Sequence, residues 1–460
     1  MISPLLTDFY QLTMACGYWK LGLHEREAVF HLIYRKHPFK GNYAIACGLG
    51  SVIEFLNQWK FEKSDLDYLR SLRTPEGIAF FPDEFLDYLQ NLRFTGDIDA
   101  IPEGTIAFTQ EPLMRIKAPL IQGQLLESAL LNIINFQTLI ATKATRVCKA
   151  ASPDPVFEFG LRRAQGPDGA LSASRAAYIG GCVATSNVLA GKLYDIPVRG
   201  THAHSWVTAF PDERTAFSAY AKVMPSNCTL LVDTFNTIEG VKHAIETGKK
   251  LRQEGHELLG IRLDSGDIAA LSINARQLLD AAGFTKTKII ASNSLDEYVI
   301  QKMKQQGCKI DIWGAGTNLV TAYDHPALDG VYKLSALRDD KGKWVYKLKL
   351  SEQAAKISNP GIHQIRRYFS KDKAILDVIY DIESGISDPV IEYDHCMDLL
   401  VPIFKNGKII YSPESIHQIR EKTLHEVTKF TKDYPEDTYP LELDKKLQKI
   451  KQELIRLLQT

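Results

Sequence analysis

No sign of charge dominates this chain: 55 Lys and Arg are matched by 55 Asp and Glu. That balance argues against a broad basic surface for nucleic acid, although it leaves room for a local cluster of arginines. Cysteine is scarce. The seven, Cys16, Cys47, Cys148, Cys182, Cys228, Cys308 and Cys396, are odd in number, widely spaced and free of any C-x-x-C pair. A disulfide framework and a zinc ribbon are therefore not expected, and reduced thiols in a cytoplasmic protein are. No apolar run approaches the roughly 18 residues of a membrane span. The first ten residues lack the basic flank and apolar stretch of a signal peptide. There is no internal repeat and no low-complexity segment.

What is present is an ordinary globular composition, 45% apolar and 24% charged over 460 residues, which suits two or three domains at roughly 150 residues each. The first third mixes element types. Leu5 to Leu21 has helical spacing, Ala28 to Ile45 and Ile98 to Ile121 read as strand-rich, and Leu125 to Ala141 reads as a long apolar helix after Gly123. The middle is regular. Short apolar runs at Leu230–Val232, Leu258–Leu263, Lys288–Ala291 and Lys309–Trp313 alternate with amphipathic stretches at Ile238–Gln253, Ile268–Ala282 and Leu295–Gln306. In the second of these, Leu271, Ala275, Leu278, Leu279 and Ala282 share a predicted face. The third opens on Ser294-Leu295-Asp296-Glu297, a capping-box pattern. A unit of about 30 residues implies βα repeats and a parallel sheet, closed or open. After Asp339 the chain returns to strand-like segments, Lys343–Leu350, Ala374–Tyr380 and Val390–Tyr393. It ends in a helix with Leu447, Ile450, Leu454 and Leu457 on one side.

In βα folds the chemistry gathers at the carboxyl ends of the strands. Here those ends carry Asp233-Thr234, Arg262-Leu263-Asp264-Ser265-Gly266-Asp267, Ser292-Asn293-Ser294 and Gly314-Ala315-Gly316-Thr317. Each alone is also an ordinary turn or helix cap. Together they offer carboxylates for a divalent ion or ribose hydroxyls and glycine-rich backbone for phosphate. The glycine loop has neither the Lys of a Walker loop nor the third Gly of a dinucleotide fingerprint. Gly200-Thr201-His202-Ala203-His204-Ser205 places two His at i and i+2, which on a strand could share a metal. A catalytic or phosphate-accepting His is another reading, and a hydrogen-bonded structural role applies best to His202. Phe159 to Gly166 sets Arg162 and Arg163 beside an aromatic ring, a combination that suits an anion and a flat heterocycle. A solvated basic turn is its bland counterpart. Lys356–Gly361 with Arg366-Arg367 is a second basic turn, most simply a surface hairpin.

In this order the segments resemble the nicotinate phosphoribosyltransferase family. The resemblance begins at Leu6-Thr7-Asp8-Phe9-Tyr10-Gln11-Leu12-Thr13-Met14 and runs through Phe159–Gly166, Gly200–Ser205, Leu231–Thr234, Arg262–Asp267 and Gly314–Thr317. It continues through Pro326–Leu334 to Lys356–Gly361, nearly the whole chain. It implies an α/β protein with an irregular α/β barrel over 126–340. It also implies a smaller α+β domain formed from both chain ends, 1–125 with part of 340–440, completed by 341–460. It implies a homodimer with shared sites, transfer from phosphoribosyl diphosphate to nicotinate, Mg²⁺, and ATP as co-substrate. His204 matches a transiently phosphorylated His, Tyr10 a Tyr contributed by the partner copy, and Phe159 the opposite aromatic face. Arg162, Thr201, Arg262, Ser292 and Asn293 match substrate-binding positions, and Gly314, Gly316 and Thr317 a 5′-phosphate loop. Asp233 and Asp264 match the carboxylates of the reaction, with Asp264 the expected Mg²⁺ ligand. Where the family often has Tyr, this chain has Phe235. Ser186 stands where the nicotinamide-using relative has an acid, and a neutral hydroxyl accepts the nicotinate carboxylate. Transfer to nicotinamide or quinolinate, a non-catalytic phosphoribosyl-binding relative, and a His202/His204 metal hydrolase are the alternatives.

Overall fold

The computed structural model of the chain describes residues 3–353, 357–387, 389, 391–434 and 439–459. Lys356 and Val390, which belong to two of the segments above, lie outside them. The chain forms two compact units: residues 1–139 with 327–460, and residues 140–326. The 25-residue helix Glu127–Ala151 runs through the first division point.

The first unit takes strands from both chain ends. Its larger sheet is antiparallel, in the order Trp344–Tyr346, Gly330–Arg338, Glu27–Tyr34, Pro112–Pro119, Asp97–Ala100, Val401–Lys405 and Lys408–Ile409. Seven of the eight residues of Glu27–Tyr34 are buried, as a central strand covered on both faces requires. A second sheet has the order His395–Asp398, His363–Ser370, Lys373–Asp381 and Leu441–Leu443. Ile416–Asp433 is a helix of this unit, opened by a full capping box between Ser415 and Gln418. The N-terminal helix begins at Phe9, four residues later than the apolar spacing suggests. The C-terminal helix, Lys445–Gln459, buries Leu447 fully but leaves Leu457 70% exposed.

The second unit is the α/β part. Six parallel strands lie in the order Ala184–Thr185, Val156–Glu158, Ile312–Ala315, Lys288–Ser292, Gly260–Leu263 and Thr229–Leu231. The first two are absent from the sequence reading: Ala184–Thr185 has only two residues, and Val156–Glu158 carries an acid in its apolar run. Helix Ile268–Ala281 follows its strand as expected, but its buried face is Ile268, Ser272, Ala275 and Leu279. Leu271 and Leu278 sit at its flanks. Ser272 joins the buried face because its hydroxyl accepts the Lys309 N–H at 2.9 Å, while burying Leu279 stabilises by about 1.5–3 kcal/mol. Helix Glu297–Gln305 is capped by Asp296, which accepts from the Tyr298 and Val299 N–H groups, and not by Ser294. Ser294 instead occupies a left-handed turn with Asn293, φ 40° and 95°.

The register aligns the strand ends. Glu158 pairs with Ala315 and with Thr185, Gly314 with Ser292, Leu263 with Ala291, and Arg262 with Leu231. The residues that follow are therefore delivered to one rim. The segment 197–202 spans the space between the sheet's two edges. Thr185 donates its N–H to the Pro197 carbonyl and Arg199 donates its own to the Thr185 carbonyl, and the Leu231 N–H donates to His202 Nε2 at 3.2 Å.

Candidate active site

The two His residues at i and i+2 separate cleanly. His202 is buried, its Nε2 accepting the Leu231 N–H and its Nδ1 3.2 Å from the Ala203 carbonyl. A carbonyl only accepts, so Nδ1 carries the proton and both ring nitrogens are engaged. Burial pushes its pKa down, which keeps that neutral form. His202 has no lone pair left for a metal, and the metal-hydrolase reading fails at this residue. Among the described residues no group of three or more His, Cys, Asp or Glu is placed to hold an ion.

His204 is different. It opens the short helix His204–Thr208 with its side chain 44% exposed. Its Nδ1 lies 3.2 Å from the Thr234 hydroxyl, which fixes the ring, and its Nε2 faces Asp264 Oδ2 at 3.7 Å. Asp264 is held from its other side by the Ser292 hydroxyl, which donates to Oδ1. Asp233 sits beneath. Its Oδ2 accepts the Asp264 N–H and the Ser265 hydroxyl, both at 2.7 Å. Its Oδ1 is buried and has no hydrogen-bond partner among the described residues. An unmet buried carboxylate oxygen is costly to leave bare.

Arg262 lies across the rim. Its Nη1 donates to the Thr201 hydroxyl at 2.8 Å, while Nε is buried without a partner among the described residues. Burial lowers its pKa; Asp264 and Asp233 raise it, and Arg162 lowers it further. Arg162 is thus close enough for its charge to be felt, and it is exposed on the turn Leu161–Arg163. The rim therefore pairs two carboxylates with two guanidinium groups around an exposed imidazole.

The neighbouring loops are built by close approach. The Phe159 N–H donates to the Ala315 carbonyl at 2.7 Å. The Phe159 ring lies so near Gly314 that a Cβ there would meet ring carbons at 2.7 and 2.9 Å; only glycine fits. Asn318 donates to the Ser294 carbonyl at 2.9 Å and to Asp296 at 3.3 Å, tying the helix that follows Gly314–Thr317 to the Asn293–Ser294 turn.

Sequence reading misses the residue that organises this side. Glu158, 1% exposed, accepts from the Gly160 N–H, from the Ser174 hydroxyl at 2.8 Å and from the Thr185 hydroxyl at 2.5 Å. Its backbone carbonyl takes the Ser186 N–H at 2.9 Å. One residue thereby sets the backbone on both sides of Phe159 and next to Ser186. The available signal is a lone acid inside the apolar run Val156-Phe157-Glu158-Phe159. Tyr10 belongs to the other unit, on helix Phe9–Lys20, and is 50% exposed.

No helix among the described residues is long and apolar enough to cross a membrane. Two family models match the chain, the nicotinate phosphoribosyltransferase N-terminal domain over residues 5–135 and the nicotinate phosphoribosyltransferase family over residues 155–371. Nicotinate phosphoribosyltransferase of Bacillus subtilis is 41% identical across 95% of this chain and 92% of its own. The human protein of that name is 35% identical across 83% and 80%. The crystal structure of human nicotinic acid phosphoribosyltransferase superposes with a TM-score of 0.85 at 28% identity, covering 97% of this chain and 99% of that one. Together with the strand-end constellation, these matches establish that the chain belongs to the nicotinate phosphoribosyltransferase family.

Proposed function

We propose that this protein transfers the phosphoribosyl group from phosphoribosyl diphosphate to nicotinate, giving nicotinate mononucleotide and diphosphate for NAD synthesis. The observation that carries the reading is the rim itself: Asp233, Asp264, Arg262 and His204 converge at the carboxyl ends of a parallel sheet in a chain of this family. The pyridine nitrogen attacks C1′ with its own lone pair as the C1′–O bond to diphosphate breaks, so no general base is needed. The demand is electrostatic. Arg262 and Arg162 meet the anionic phosphates, and Asp233 and Asp264 favour the positive charge that develops on the ribosyl group.

The carboxylates also fit Mg²⁺, which usually takes one or two protein carboxylates and substrate phosphate oxygens. The unmet Oδ1 of Asp233 and the rim carboxylate of Asp264 are the donors this chain would offer. When bound, Mg²⁺ neutralises charge on the leaving diphosphate. His204, held at Nδ1 by Thr234 and facing the rim with Nε2, suits a nitrogen that accepts the γ-phosphoryl group of ATP. This is the ATP-dependent, ligase-like part of the reading.

Ser186 gives nicotinate preference over nicotinamide by offering a hydroxyl and no competing charge. The homodimer with shared sites is supported by exposed apolar residues on each unit. Leu6, Tyr10 and Met14 are 46%, 50% and 37% exposed, and Val188, Leu189 and Leu193, just past Ser186, are 69%, 51% and 55% exposed. We assign Tyr10 to the partner copy's base pocket. The closed barrel is supported by the 197–202 segment that meets both sheet edges. A cytoplasmic location accords with seven cysteines that form no disulfide.

The test is direct. Purified protein is incubated with phosphoribosyl diphosphate, Mg²⁺ and either nicotinate or nicotinamide, with and without ATP, beside His204→Ala. Mononucleotide from nicotinate alone, increased by ATP in the parent and not in the variant, is expected. Product from nicotinamide instead would transfer the reading to the related enzyme and undo the role given to Ser186.

A further inference from the structure

The first unit contains a cavity of about 270 Å³ that the reaction does not use. It lies among the sheet residues Arg367, Phe369 and Ala374, the helix Ile416–Asp433, and Phe108 and Tyr439. Ligand sites run from about 300 to 1,000 Å³, so this one is sized for one or two rings and not for a nucleotide.

One wall is aromatic and rigid. Phe108 stacks on Tyr439 with centroids 4.2 Å apart and planes 9° from parallel, and Phe430 packs on Phe108, Tyr434 and Tyr439 at 5.6, 5.3 and 5.9 Å. The Tyr439 hydroxyl is anchored by donating to Asp377 Oδ1 at 2.9 Å.

Behind the wall sits Arg367, only 6% exposed. Its Nε and Nη2 donate to the Asp377 carboxylate at 2.8 and 2.6 Å, and Nη2 also donates to the Ile106 carbonyl. Nη1 makes no hydrogen bond to any described residue, although Arg367 lines the cavity. Nη1 is therefore the guanidinium nitrogen left to the cavity, and the partner that a guanidinium fork meets best is a carboxylate or phosphate. Lys422 and Lys429 also line the cavity, as do the acids Asp372, Glu426 and Asp433, of which Glu426 accepts the Ile106 N–H. The neighbouring Glu111 is fully buried and held well above the usual carboxylate range by burial and by Asp377. That shift favours its neutral form and lessens its opposition to an incoming anion.

We propose that this cavity is a second small-molecule site, binding a planar aromatic carboxylate whose ring lies on the Phe108–Tyr439–Phe430 wall and whose acid group accepts from Arg367 Nη1. The site lies wholly within the unit formed by residues 1–139 and 327–460 and does not rest on the reaction assigned to the strand-end rim.

The test uses 2-naphthoate as probe and equilibrium dialysis of the full chain. Saturable binding of one probe per chain below about 1 mM is expected, weakened at least about tenfold for the uncharged 2-naphthamide. Ala374→Trp fills the cavity without touching the Arg367–Asp377 pair and should remove binding, while mononucleotide formation stays at the parent level. Met397→Trp, from the strand His395–Asp398 of the same sheet, serves the same purpose if the first variant folds poorly. Binding that survives both substitutions, or no saturable binding, would overturn the site. Equal binding of the amide would overturn the role of Arg367.

Discussion

Two buried ionic clusters in this molecule look alike in composition and differ in what they leave unmet. In residues 140–326, Asp233 keeps an unpartnered carboxylate oxygen among the described residues, and Asp264 turns one of its own towards an exposed imidazole. In the other unit, Asp377 commits its oxygens to Arg367 and Tyr439, and the free valence is a guanidinium N–H. Both clusters are paired in charge; the first leaves a carboxylate oxygen unmet and the second a guanidinium nitrogen. Buried charge that is fully paired contributes structure; buried charge left partly unpaired on a rim or cavity marks a ligand.

The sharpest test of that contrast removes one charge from each. Asp264→Asn keeps the Ser292 contact geometry but deletes the rim charge. It should lower kcat by roughly 10²–10³ with the urea midpoint little changed. Asp377→Asn strands Arg367 and weakens the acceptor for Tyr439. It should cost about 3–5 kcal/mol of stability, read by urea unfolding, while the folded fraction keeps its turnover. Matching losses of rate and stability in both variants would break the distinction.

A second test concerns protons. His363, in the first unit, is fully buried, stacks on His31 at 4.1 Å, and has its pKa lowered to about 4, chiefly by burial. Its backbone N–H donates to His31 Nε2, so the pair is built for neutral rings. The unfolded chain takes up protons near pH 6.5 and the folded chain does not. This contribution to stability is therefore present above pH 6.5 and lost as pH falls from there towards 4, where the folded site also titrates. The loss should be on the order of 3 kcal/mol. His363→Gln should flatten the dependence of the unfolding free energy on pH across that window. A slope unchanged in the variant would assign the dependence to other groups.

How far each unit is legible in the sequence follows the same division. The βα alternation of residues 229–315 can be read because its strands are buried on both faces and its helices are amphipathic, and the strand-end residues come with it. Ala184–Thr185 cannot, since two residues carry no period, and Val156–Glu158 cannot because Glu158 interrupts its apolar run. The buried face of Ile268–Ala281 departs from expectation because Ser272 is held there by a hydrogen bond to Lys309 and not by hydrophobicity. The cap falls on Asp296 and not on Ser294 because Ser294 occupies the left-handed turn. The first unit is harder throughout. Its sheets pair strands hundreds of residues apart, such as Glu27–Tyr34 with Gly330–Arg338, and Arg366-Arg367, which reads as a surface turn, is half core. Arg367 is buried because Asp377 lies across the strand pair from it, a partner that no local pattern reveals.

The smallest expected effect bears on Glu158, which belongs to neither kind of cluster. It is satisfied by the Gly160 N–H, Ser174 and Thr185, and it acts only through the backbone it holds. Glu158→Gln preserves shape and can still accept through its carbonyl, but its amide brings donors into a site where all three partners donate. The Gly160 N–H can keep the carbonyl, but the Ser174 and Thr185 hydroxyl oxygens, which already accept from Asn187, then face amide N–H groups in place of a charged acceptor. The turn carrying Phe159 and Arg162 should loosen while the Asp233–Asp264–His204 rim stays intact. KM for nicotinate should rise roughly three- to tenfold with kcat within about twofold, the pattern of lost ground-state positioning. A fall in kcat at constant KM would instead place Glu158 in the electrostatics of the reaction, and the separation between paired structural charge and unpaired functional charge would have to be redrawn around it.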